Sequence, residues 1–176
     1  MSLFPLFHWL QSQEFATALR ESSLVYPVVM TTHLAAIALF GGMILVADLR
    51  LLGLAMKDRP VTDVVAGLRV WKRIGFVIMV TMGFLLLAAK AELYYPNPYY
   101  WLKMTLLALV GVHALVFHRS VYGNLKAIDS APQIPGIAKT AAAISLILWI
   151  GLVCAGRWIA YYEPPKAAAQ ASIEGK

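Results

Sequence analysis

Residues 24–54 read LVYPVVMTTHLAAIALFGGMILVADLRLLGL, with the charged Asp48 and Arg50 only near the far end. At about 1.5 Å of rise per residue, a helix over this stretch is long enough to cross roughly 30 Å of hydrocarbon. Similar apolar stretches lie at about 68–91, 101–117 and 138–162, the third being the shortest. The whole chain is 60% hydrophobic and 14% charged. An ordinary soluble domain is roughly half apolar and a quarter charged, so this is the composition of a membrane protein. The expected fold is all-α, a four-helix transmembrane bundle forming one membrane domain over residues 1–163, with a disordered tail over 164–176.

The net charge of +6 comes from cations that cluster by side. Arg50, Lys57, Arg59, Arg69, Lys72 and Arg73 flank the first connection, and Arg119, Lys126 and Lys139 flank the third. The positive-inside rule places these on the cytoplasmic face of a bacterial inner membrane, with both termini on the periplasmic side. The charge is thus a topology signal, and nothing calls for nucleic acid.

Ahead of the first span, Phe4 to Arg20 mixes Phe7, Trp9, Leu10 and Phe15 with Gln11, Gln13 and Glu14. Pro5 and Trp9 suit one amphipathic helix lying at the membrane interface. The segment lacks the basic start and small-residue cleavage site of a signal peptide. Between the second and third spans, Leu93 to Trp101 is an aromatic turn with Pro96 and Pro98, the make-up of an interfacial belt. Pro132 and Pro135 mark a loop on the other side.

Cys154 is the only cysteine, which excludes an intrachain disulfide and the cysteine motifs of zinc, iron-sulfur and covalent haem sites. It reads as a small packing residue of the fourth span. No phosphate-binding glycine loop and no nucleophile motif is present, so a stand-alone enzyme is less expected than an electron-transfer protein or subunit. Asp48, with Arg50 two residues on, reads as an interfacial charge cluster.

The intramembrane residues that call for a function are His33 and His113, because an imidazole in hydrocarbon needs a partner. Counted from the starts of their own spans, they lie about 12 Å and about 20 Å deep. Neutral imidazoles from two facing helices are an ordinary way to hold haem iron. The expectation is one haem b between the first and third spans, with His33 and His113 as axial ligands. Lys90, Lys103 and Arg157, near the outer ends of three spans, would neutralise its propionates. The quieter reading of each histidine is a polar bridge between helices, and of each cation, snorkelling to lipid phosphate. His8 on the surface helix and His118 at the cytoplasmic interface are weaker ligand candidates.

Two other functions fit the same residues. Met30, Met79, Met82 and Met104 with His33 form a soft donor set suited to copper. A structural subunit whose histidines only bridge helices would bind no cofactor. For the haem protein, a quinone and an exported redox protein suit the roles of partners, within the lipid bilayer. No motif fixes the oligomeric state.

The lead segment Phe7-His8-Trp9-Leu10, His33 followed by Gly41-Gly42, the link Trp71-Lys72-Arg73 and His113 together resemble uncharacterised small bacterial four-helix membrane proteins. These are distantly similar to proteins of the copper-resistance D type and, in architecture, to small b-type cytochromes. The resemblance implies that His33 and His113 match the intramembrane histidines of such bundles. A two-haem cytochrome of that kind would show two histidine pairs at two depths, which this chain does not.

Overall fold

The computed structural model describes residues 2–163, with the side chains of residues 118–120 also left undescribed. The tail expected to be disordered and the His118 side chain therefore lie outside the described residues. Within them the chain is all-α: α1 (Phe4–Gln11), α2 (Glu14–Glu21), α3 (Val25–Leu51), α4 (Val61–Ala89), α5 (Ala91–Tyr94), α6 (Pro98–Ser120), α7 (Leu125–Ser130) and α8 (Gly136–Ile159). A single 3-10 turn, Tyr122–Asn124, precedes α7. Helices α3, α4, α6 and α8 are long and apolar enough to cross a membrane.

Local chemistry sets the helix ends. Pro5 stands in the first turn of α1, and the Ser12 hydroxyl and Gln13 amide both donate to the Trp9 carbonyl where that helix stops. The amphipathic lead segment is thus two short helices, α1 and α2, where the sequence suggested one. Ser22 accepts the Val25 N–H at the start of α3. Helix α4 begins at Val61, ahead of the 68 expected from hydropathy. Its early residues Thr62 and Asp63 are polar, yet the Asp129 carboxylate accepts the Val61 and Thr62 N–H groups at 2.6 and 3.0 Å and caps the first turn. Pro98 opens α6 behind Asn97, whose side chain accepts from the N–H groups of Tyr99 and Tyr100.

Helices α3 and α4 form one closely packed antiparallel pair, α6 and α8 a second, and α3 against α8 joins the pairs. Among the described residues α4 and α6 do not pack closely along their lengths. Leu34, Leu39, Leu115 and Ile147 point outward and are exposed, the arrangement expected of side chains that face lipid.

The two ends of the bundle differ. At the aromatic end, α1, α2 and α5 pack on the long helices, with the Phe7 ring in contact with Tyr95, Tyr100 and Trp101. Burial, with Tyr26 alongside, pushes the Tyr94 phenol up to about 12, so it stays neutral at physiological pH. At the basic end, Leu51, Val61, Val121, Leu125 and Ala138 form a cluster under the two links. The α3–α4 link turns through Gly53 at φ 74° and Met56 at φ 50°, the left-handed region that glycine enters at least cost.

Asn97 is 2% exposed, and its side-chain amide also donates to the Ile159 carbonyl at 3.1 Å, tying the start of α6 to the end of α8. Replacing Asn97 by Ala leaves these groups without partners and is expected to cost about 1–3 kcal/mol. Asn97→Asp keeps the acceptor but loses the donor, and its loss should fall between. Thermal unfolding in detergent checks the ranking.

Candidate functional site

His33 is carried on the side of α3 that meets α4. Its Nδ1 lies 2.9 Å from the Met79 carbonyl oxygen. A carbonyl has no proton to give, so Nδ1 carries the hydrogen and the neutral ring keeps its lone pair on Nε2. The ring lies against Gly83, where a Cβ would stand only 2.9 Å from His33 Cε1. Gly83 is therefore the notch that admits the imidazole between α3 and α4.

His113 is held in a parallel manner on the other helix pair. Its Nε2 lies 3.0 Å from the Ala141 carbonyl oxygen of α8, and its ring packs on Phe117. By the same argument Nε2 is the donor, and Nδ1 keeps the lone pair. Each intramembrane histidine thus bridges to main chain one helix away.

The two rings do not meet. Phe40 of α3 packs edge-on against Trp149 of α8 and sets their register. His33 lies about 10 Å from that level toward the aromatic end, and Ala141 about 12 Å toward the basic end, at 1.5 Å per residue. The imidazoles are therefore separated by roughly 20 Å along the bundle, far beyond the span of one iron. Counting from the span starts put the two histidines about 8 Å apart in depth, and the packing of α3 against α8 widens that separation.

Of the three cations grouped around the expected propionates, one is inside. Lys103 runs across Gly156 of α8, where a Cβ would be 3.6 Å from its Nζ, and its charge is felt at His33. Lys90 instead places its ammonium 4.6 Å from the centre of the Tyr26 ring. Arg157 is exposed, lies over the Tyr161 ring and donates to its hydroxyl. His8 is exposed at the aromatic end and pairs with Glu92 across 2.7 Å.

The methionines of the copper reading have separate settings: Met79 offers His33 its carbonyl oxygen and is itself buried with Ala36 and Trp149. Met30 is 42% exposed, Met82 packs with Val29 and Leu86, and Met104 packs with Phe7 and Tyr100. Among the described residues no group of three or more His, Cys, Asp or Glu side chains could hold a metal ion. Cys154 is exposed and does not fill the interior as its sequence setting suggested.

Asp48 is a second departure. It was expected at the interface beside Arg50, but it is 2% exposed, with Ser145 of α8 in hydrogen-bonding reach and Lys72 of α4 nearby. Its Oδ2 has no partner. The signal was present in the spacing His33, Ile37, Phe40, Ile44, Asp48, Leu51, which keeps Asp48 on the inward seam of α3.

The sequence model of a family of unknown function, DUF6644, matches residues 7–162, and the chain belongs to that family. No curated protein and no solved structure matches it.

Gly83→Ala is expected to displace the His33 ring, break its bond to Met79 and cost about 1–3 kcal/mol. Gly111→Ala meets open space and should be neutral or gain up to about 1 kcal/mol from helix propensity. Paired thermal melts in detergent separate the two.

Proposed function

We propose that this chain is a membrane b-type cytochrome-like protein that binds haem between its long helices through His33 and carries electrons near its aromatic end. The observation that carries the reading is the hydrogen bond between His33 Nδ1 and the Met79 carbonyl. Donating Nδ1–H to a backbone carbonyl is the arrangement that orients a ligating imidazole and raises the basicity of its other nitrogen. Lys103 supports it as an interior cation with no ion pair among the described residues. A haem propionate is an anion that would neutralise it.

The pairing expected from sequence narrows accordingly. Among the described residues His33 is the histidine that would hold the haem at that level, and His113 would serve to bridge α6 to α8. Lys90 and Arg157, each engaged with a tyrosine, are left to the membrane interface. The basic end faces the cytoplasm of a bacterial inner membrane, which puts both termini and the haem level toward the periplasm. A quinol as donor and an exported redox protein as acceptor suit that position. When bound, the haem supplies one-electron chemistry; the chain supplies the ligand, the counter-charge and a setting with few polar groups.

A second reading rests on the same two bonds. Imidazoles that already bridge to carbonyls can serve as polar contacts between helices in a structural subunit. Its consequence is distinct: the purified chain would hold no haem.

His33→Ala is expected to lose haem by about tenfold or more, the usual scale for removing ligand or second-shell support. His113→Ala should keep the haem and lower thermal stability by about 1 kcal/mol. Soret absorbance per chain after purification reads both. Equal haem content in wild type and His33→Ala would remove His33 from the site.

A further inference from the structure

The links at the basic end enclose an open cavity of about 650 Å³. Its walls come from the end of α3, the α3–α4 link, the link from α7 to α8 and the first turn of α8. Four cations line it: Arg50, Lys57, Arg59 and Lys139. Two acids stand with them, Asp58 and Asp129, and Asp129 is already engaged in capping α4. Among the described residues none of the four cations makes a salt bridge within 4.0 Å. Arg50 donates Nε–H to the Arg59 carbonyl at 2.7 Å, which fixes its guanidinium and leaves the terminal nitrogens for another acceptor. Leu52, Val61, Ile128 and Ile134 supply an apolar lining beside the charges.

We infer that this cavity binds a phosphate-bearing anion. Keeping a loop on the cytoplasmic side requires only that cations be somewhere in it. Here four cations from separate links converge on one concave site with two carboxylates, Asp58 and Asp129, so the cations outnumber the acids even though Asp129 caps α4 within reach of Arg50. Phosphate, with several acceptor oxygens, matches a fixed guanidinium and lysines around it. The apolar lining beside the charges suits a phosphodiester that continues into a lipid, and a free phosphate compound would use the same cations. The inference stands independently of haem.

The test is native mass spectrometry of the full chain in detergent, titrated with dioleoylphosphatidylglycerol or dioleoylphosphatidylcholine. Phosphatidylglycerol is expected to be retained at about tenfold lower concentration. Lys57→Gln with Lys139→Gln should erase most of that preference, whereas Lys126→Gln, at the same end but outside the cavity, should keep it. Should the double variant fail to fold, Lys57→Gln and Lys139→Gln singly should each lose part of it. Displacement of the lipid by millimolar inorganic phosphate supports the same site with a soluble source. Equal retention of both lipids with no phosphate binding, or an equal loss in Lys126→Gln, overturns the inference.

Discussion

In hydrocarbon a polar group that finds no partner costs several kcal/mol, so an imidazole within a bundle of membrane-crossing length must spend its N–H on something. Here both histidines spend it on main chain: His33 on Met79, across α3 and α4, and His113 on Ala141, across α6 and α8. Those are the two closely packed antiparallel pairs of the bundle. One such bond spans each pair, and Phe40 meets Trp149 where the pairs lie against each other. The register places the two histidines at different levels, so in this packing His33 and His113 do not face one iron together.

The same hydrogen bonds decide what each ring can still do. A donor nitrogen committed to a carbonyl leaves the other nitrogen as a base, so the bond between α3 and α4 leaves Nε2 of His33 with the lone pair that the proposed ligand role requires. Lys103 differs from the other two cations of the aromatic half that were expected near the propionates. It stands within the electrostatic reach of His33, whereas Lys90 and Arg157 lean on tyrosines at the aromatic end. Among the described residues an imidazole nitrogen without a hydrogen-bond partner and a cation without an ion pair occur on the same half of the bundle, and the haem proposal rests on that pairing.

Hydropathy made the four long helices legible, because length and apolar content are all that crossing a membrane demands. Their ends were less so. The early start of α4 depends on Asp129, a residue 68 positions away that no local pattern connects to Val61. Likewise the break between α1 and α2 comes from Ser12 and Gln13 turning back on the Trp9 carbonyl. The histidines were legible as residues in need of partners, yet their relative depth depended on how the helices slide, which spacing within one helix does not carry. Asp48 could have been found: the inward seam through His33, Phe40 and Ile44 reaches it, but Arg50 nearby made it look interfacial.

The central claim is that His33 gives this bundle a haem. A reduced-minus-oxidised visible spectrum of the purified chain, with a pyridine haemochrome assay on the same sample, tests it most directly. The account predicts a b-type spectrum with one haem per chain, or one per two chains if the second axial position is filled by a partner copy. A chain expressed with ample haem that purifies without any would contradict the account and leave the two histidines as bridges between helices.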